Sequence, residues 1–107
     1  MLEKANFYGR DFYVDERVLI PRNDTELLVR VALEKLHSEV APRDMWYLDV
    51  GTGSACIPIS IVLEMHPLKF EKVIALELSQ EAIDVATENI EKLAPGKIEI
   101  RESDLLS

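Results

Sequence analysis

The spacing of apolar residues near the N-terminus predicts a short β-hairpin. Two β-rich runs, Asp11–Val14 and Arg17–Ile20, are separated by the polar pair Asp15-Glu16. Runs of this kind around a short polar turn are typical of two antiparallel strands. Pro21 ends the second run, since proline cannot donate to a strand ladder.

The spacing then becomes helical. Apolar residues over 25–38 recur three and four positions apart, which predicts an amphipathic helix that stops before Pro42. Asn23, Asp24 and Thr25 precede it and are residue types that cap helix N-termini.

The remainder alternates short apolar runs with helical patterns. In order, it predicts a strand over 45–50, a helix over 55–65, a strand over 72–78, a helix over 80–93 and a strand over 97–101. Ser54 and Ser79 are positioned to cap the two helices. A β-α-β-α-β order implies parallel strands with right-handed crossovers, so the fold class is α/β and Rossmann-like.

Three strands with their helices make half of a doubly wound sheet. We therefore expect the chain to be a fragment of a larger domain. The strand over 45–50 would normally be central, and here it is predicted to form an exposed apolar edge. Such an edge can pair with another chain, so residues 1–107 alone are expected either to self-associate through it or to remain loosely packed.

Composition narrows the function classes. The chain has 107 residues, of which 48% are hydrophobic and 30% charged, as in one small globular domain. No apolar run approaches the roughly 20 residues that span a bilayer, and no export signal is visible, so a cytoplasmic location without membrane contact is expected. The single cysteine, Cys56, excludes an intrachain disulfide. The net charge of −8 and the lack of a basic stripe argue against direct binding of nucleic acid.

A glycine pair between a predicted strand and a predicted helix is the main candidate for chemistry. Gly51 and Gly53 allow the backbone to approach a ligand closely, with amide groups pointing at it. A dinucleotide fingerprint needs a third glycine, and Cys56 stands there instead. Asp49 would repel a pyrophosphate but attract an ammonium group. This combination favours S-adenosylmethionine as the ligand.

Two further acids follow the neighbouring strands. Glu77 ends the second parallel strand and could accept two hydrogen bonds from a ribose diol. Asp104 follows the third strand and could receive an adenine amino group. The plain alternative is that these acids are solvated strand ends, and this alternative is weightiest for Asp104.

The sequence resembles the release factor glutamine methyltransferases of the HemK/PrmC type. The segments FYGRDFYVDERVLIPRNDTELLV, LDVGTGSACIPIS and VIALELSQEAIDVATENIEKL carry the resemblance, in this order, from about Phe7 to Ser107. It implies a class I S-adenosylmethionine-dependent methyltransferase fold preceded by a hairpin. Residues 1–22 would be the linker hairpin and residues 23–107 the N-terminal half of the catalytic domain.

The resemblance also implies a set of cofactor-binding residues. The loop would hold the methionine side, Glu77 the ribose, and the last pair the adenine; the full set is Asp49, Val50, Gly51, Thr52, Gly53, Glu77, Asp104 and Leu105. The motif that contains Arg22, Thr25 and Glu26 would lie over the cofactor pocket. The implied partner is a peptide chain release factor, whose glutamine amide is methylated.

Three departures from the family pattern limit these expectations. Asn23-Asp24 replaces Pro-Glu, and Ala55 replaces a glycine. The Asn-Pro-Pro-Tyr motif that holds the glutamine amide does not occur, so no catalytic residue is assigned, and the chain alone is expected to transfer no methyl group. A related amino-methyltransferase for another protein or a nucleic acid base, and a noncatalytic Rossmann-like interaction module, therefore remain alternatives.

The other reactive residue types favour structural roles. His37 and His66 lie near predicted helix ends, away from any Cys/His cluster, so no metal site is predicted. Cys56 lies at a helix start, which can lower a thiol pKa, but a small packed residue is the favoured interpretation. Trp46 and Tyr47 alternate along a strand and should face opposite sides.

Overall fold

The computed structural model describes residues 3–39 and 44–103. The chain runs through a two-stranded antiparallel hairpin, a helix, and a β-α-β-α-β unit. The elements are β1 (Lys4–Phe7), β2 (Arg10–Tyr13), α1 (Asn23–Glu39), β3 (Trp46–Val50), α2 (Cys56–Met65), β4 (Lys72–Glu77), α3 (Gln80–Leu93) and β5 (Glu99–Glu102).

The three later strands form a parallel sheet in the order β3-β4-β5. Within the described residues β3 lies at one edge, as predicted, and the side chains of Trp46, Leu48 and Val50 are 52–61% exposed. Tyr47 points to the other side of the strand and packs against Phe70, with ring centroids 5.4 Å apart. The predicted alternation along this strand is therefore confirmed.

The hairpin prediction is wrong in its position. The strands pair Lys4 with Tyr13 and Phe7 with Arg10, so the turn is Tyr8-Gly9. Both turn residues have positive φ angles, 51° and 79°, as a two-residue hairpin turn of the right twist requires. Gly9 was the signal for this turn, because glycine adopts such angles without strain.

The second predicted strand, Arg17–Ile20, does not form. Asp15 instead accepts hydrogen bonds from the backbone and side chain of Arg17, and the Val18 amide donates to the Asp15 carbonyl at 3.2 Å. The guanidinium holds the pKa of Asp15 well below its usual range. This local ion pair closes a turn that leads the chain out of the hairpin toward α1.

Helix boundaries agree with the predictions to within two residues, but two of the predicted N-caps differ. α1 begins at Asn23, so Asn23, Asp24 and Thr25 lie in its first turn and do not precede it. Ser79 caps α3 as predicted, accepting a hydrogen bond from the Ala82 amide at 3.2 Å. Ser54 does not cap α2: that helix begins at Cys56, and Ala55 precedes it in the left-handed region with φ 69° and no side-chain cap. The left-handed residue turns the chain between Ser54 and the helix.

The hairpin packs into the same apolar core as the rest of the chain. Phe7, Phe12 and Val14 are at most 1% exposed and cluster with residues of α1, α2 and α3. Its polar contacts reach all three helices: Glu26 accepts the Tyr8 amide at 2.6 Å, and Arg10 pairs with Glu64 at 2.8 Å. The third contact joins Asn89 of α3 to the backbone of Tyr13.

Candidate functional site

The candidate site is the carboxyl edge of the parallel sheet, where ligands bind in open α/β folds. Asp49 lies beside Ala75 near the end of β3, and Glu77 ends the adjacent β4. The loop 51–55 connects β3 to α2 at the same edge. Of the predicted cofactor residues, the structure brings together Asp49, Val50, Gly51, Thr52, Gly53 and Glu77; Asp104 and Leu105 lie outside the described residues.

The loop has an unusual backbone. Gly51, Gly53 and Ala55 all have positive φ angles, between 56° and 69°. Glycine adopts such angles freely, whereas alanine is strained there. The positive φ angle explains why the family has glycine at this position. In this chain Ala55 adopts the same conformation although it is not a glycine.

Four backbone amides of the loop donate hydrogen bonds to other groups of the protein. Gly51 and Thr52 both donate to the Leu76 carbonyl, at 2.9 and 3.1 Å. The Gly53 amide donates to Glu77 Oε1 at 2.9 Å, and the Ala55 amide donates to the Thr52 carbonyl at 2.9 Å. The expectation that these amides point at a ligand is wrong for all four. The loop does not present them as a cradle for a phosphate.

Carboxylates dominate the electrostatics of this edge. Asp49 is half-buried, and burial raises the pKa of its carboxyl group; nearby Thr52 and Tyr47 side chains offset part of the rise, while the charge of Glu77 adds to it. A buried carboxylate next to a second one is stabilised by a cation and destabilised by an anion. The edge is therefore suited to a ligand with an ammonium group and hydroxyl groups.

Glu77 has a further role that the sequence did not indicate. Its two oxygens accept the amides of Gly53 at 2.9 Å and Ser79 at 3.2 Å. The carboxylate thus ties the glycine loop to the start of α3. Each carboxylate oxygen has two acceptor positions, so one on each oxygen remains for ligand hydroxyls.

Asn89 is the residue of this region that sequence reasoning missed. Its side chain, fully buried on α3, donates to the Ser54 carbonyl in the loop at 2.9 Å. The signal was available, because a polar residue at position 89 interrupts the apolar face of α3. An asparagine at such a position needs buried hydrogen-bond partners.

The other candidates for reactivity have structural environments. Burial raises the pKa of the Cys56 thiol to about 11. The thiol is thus protonated near neutral pH, which agrees with a packed residue. In the two described stretches, no group of three or more His, Cys, Asp or Glu side chains is arranged to hold a metal ion. No helix there is long and apolar enough to cross a bilayer.

Comparison with known proteins identifies relatives over nearly the whole chain. No family model matches. The chain is 45% identical over 103 residues to a release factor glutamine methyltransferase of Koribacter versatilis, covering 94% of this chain and 34% of that protein. It is 39% identical over 107 residues to the Bacillus subtilis protein of the same name, covering 99% of this chain and 36% of that protein. The chain is a relative of the release factor glutamine methyltransferases. It spans about a third of the length of these relatives.

Solved structures support the same fold. The N-terminal domain of human METTL16 in complex with SAH matches with a TM-score of 0.62 and 16% identity, over 90% of this chain and 37% of that one. A precorrin-6y C5,15-methyltransferase of Geobacter metallireducens matches with a TM-score of 0.60 and 21% identity, over 86% and 43%. The described elements are therefore those of the first half of a class I methyltransferase fold, with an added antiparallel hairpin.

Proposed function

We propose that this chain supplies the cofactor-binding half of an S-adenosylmethionine-dependent methyltransferase that acts on the glutamine side chain of peptide chain release factors. The observation that carries the cofactor is the inward orientation of the loop amides beside two carboxylates. The amides of Gly51, Thr52, Gly53 and Ala55 already have acceptors within the protein, and the two carboxylates would repel a pyrophosphate. An ammonium group and a ribose diol would find acceptors.

Each residue has a proposed role toward the cofactor. Asp49 would face the ammonium group, and Gly51 and Gly53 would leave space for the methionine portion. Glu77 would accept the two ribose hydroxyls, and Asp104 with Leu105 would lie near the adenine. The bound cofactor supplies an electrophilic methyl group on a sulfonium, and the protein's work is to hold donor and acceptor in line.

The release factor as substrate rests on the named relatives, which are 38–45% identical to this chain in the strongest matches. We assign residues 1–22 to the linker hairpin of that family and the activity to the cytoplasm. The net charge of −8 supports a protein partner over direct contact with nucleic acid or an anionic membrane.

Titration calorimetry tests the cofactor assignment. S-adenosylhomocysteine should bind the chain with measurable heat, and NAD should give none. Asp49→Asn is the matched variant, because it keeps the shape of the side chain and removes the charge that faces the ammonium group. Binding of NAD, or failure to bind the nucleoside, would contradict the cofactor assignment.

A chimera tests the substrate. The chain would replace the matching segment of the Bacillus subtilis relative, with which it shares 39% identity. The chimera should methylate purified release factor on glutamine, and a Glu77→Ala version should be much slower. A chimera that binds the cofactor but methylates another protein or a nucleic acid base would contradict the proposed substrate.

A further inference from the structure

The side chain of Asn89 connects two parts of the molecule that are distant in sequence. Its Oδ1 atom accepts a hydrogen bond from the Tyr13 amide at 2.7 Å, and its Nδ2 atom donates to the Tyr13 carbonyl at 2.9 Å. The same Nδ2 donates to the Ser54 carbonyl at 2.9 Å. The residue is 0% exposed, so water cannot substitute for these partners.

The side-chain amide acts like a third strand beside the hairpin. β2 pairs with β1 on one side, and on its other side Tyr13 presents an amide and a carbonyl that Asn89 satisfies. The remaining proton of Nδ2 points at the glycine loop. An asparagine amide, with two donors and one acceptor in a plane, fits all three bonds at once.

The bond to Ser54 falls at a sensitive place in the loop. Ser54 lies between Gly53 and Ala55, which both have left-handed backbones. Holding the Ser54 carbonyl fixes the peptide plane between Ser54 and Ala55. The Gly53 amide on the other side is held by Glu77, so both ends of this turn are fixed by side chains.

We propose that Asn89 is a positioning residue that couples the placement of the hairpin to the shape of the glycine loop. This inference rests on the proposed function in that the loop is taken to hold the cofactor. Coupling of this kind is reciprocal. Cofactor binding therefore steadies the hairpin at Tyr13, and loosening the hairpin loosens the loop.

A double-mutant cycle measured by amide hydrogen exchange tests the coupling without a ligand. Gly9→Ala strains the hairpin turn, where φ is +79°, and its added Cβ meets no atom within 4 Å. With Asn89 present, the Gly9→Ala change should speed hydrogen exchange of the Ala55 amide roughly fivefold or more. In an Asn89→Ala background the same change should have almost no effect on Ala55.

Hydrogen exchange in the presence of a ligand tests the coupling in the unsubstituted chain. Saturating S-adenosylhomocysteine should slow exchange of the Tyr13 amide in the natural chain. In addition, Asn89→Ala should weaken binding of the nucleoside about tenfold, equivalent to about 1.4 kcal/mol. Ile90→Val on the same helix, a buried change that makes no bond to the loop, should leave the affinity unchanged.

The outcomes separate the two proposals. Equal effects of Gly9→Ala on Ala55 with and without Asn89 would overturn the coupling, and so would cofactor binding without protection of Tyr13. A chain that binds no nucleoside while the exchange cycle still shows coupling would contradict the proposed function alone. If Asn89→Ala does not fold, the coupling is tested in the natural chain by whether S-adenosylhomocysteine slows exchange of the Tyr13 amide.

Discussion

Glu77 Oε1 accepts a hydrogen bond from the Gly53 amide at 2.9 Å, so the end of one strand holds the loop that follows its neighbour. The same carboxylate accepts the Ser79 amide at the start of α3. A residue proposed on sequence grounds to bind the ligand thus also holds the glycine loop and the start of α3. Substitutions at Glu77 should therefore affect both the proposed binding of the ribose and the order of the glycine loop. Different variants can separate these two effects.

Glu77→Ala should weaken binding of S-adenosylhomocysteine more than tenfold. The change removes the proposed acceptor of the ribose hydroxyls, and bonds to a charged group contribute roughly 1.5–3 kcal/mol each. Glu77→Gln keeps one oxygen for the Gly53 amide and should lose less affinity. Calorimetry on both variants checks this; equal affinity for Glu77→Ala and the natural chain would contradict a role for Glu77 in binding the ribose.

Asp49→Asn should bind the nucleoside more weakly and yet unfold at a higher temperature. Burial raises the pKa of Asp49 in the folded state, so its charge opposes folding at neutral pH. Protonation of Asp49 removes this penalty as the pH falls through the raised pKa. In that pH range Asp49 should therefore contribute an increase to the melting temperature of the natural chain. Asp49→Asn should abolish that gain.

Affinity should show the opposite pH dependence. A cationic ammonium group favours the ionised carboxylate, so binding of the nucleoside should weaken as Asp49 is protonated. Because the pKa is raised, the weakening should begin above the ordinary aspartate value near 3.8. Calorimetry between neutral pH and the onset of acid unfolding measures it, with Asp49→Asn as the flat control.

Ala55→Gly should stabilise the chain. A left-handed backbone costs a non-glycine residue about 1–2 kcal/mol, while glycine loses roughly 0.5–1 kcal/mol through its greater freedom when unfolded. The balance favours glycine by up to about 1.5 kcal/mol. Urea unfolding measures the free energy, and Ala94→Gly is the control, since Ala94 is equally buried but has φ −141°. A loss of stability at Ala55 would contradict the strain argument.

The uncovered side of β3 should promote self-association. Trp46, Leu48 and Val50 are exposed on one face of an edge strand, and such edges pair with other chains. Light scattering should report a mass that increases with concentration. Leu48→Lys should reduce this increase, whereas Leu19→Lys, at a residue 92% exposed outside the sheet, should not. A concentration-independent monomer would show that the edge does not associate.

Periodicity predicted the parts of the fold that depend on local pattern. Apolar spacing predicted the three parallel strands and both crossover helices. The presence of a serine before α3 predicted the Ser79 cap. The hairpin was displaced because Arg17–Ile20 has strand-like composition, while the Asp15–Arg17 ion pair closes a turn there. Composition does not report such a specific contact.

The site was predictable only in part, for a physical reason. The order of strands brings Asp49 and Glu77 to one edge, and this follows from topology. The inward bonds of the loop amides and the three bonds of Asn89 join residues up to 76 positions apart. Partners at such separations are set by packing, which a reading of local spacing does not contain.

The burial of Cys56 makes the natural chain convenient for site-specific labelling. This cysteine is 7% exposed, and its thiol stays protonated at neutral pH, so reagents that attack thiolates meet little reactive sulfur in the folded state. A cysteine introduced at the exposed position of Leu19 would then be the group that reacts. A dye placed there would report on the segment between hairpin and α1 with the native sulfur left unchanged.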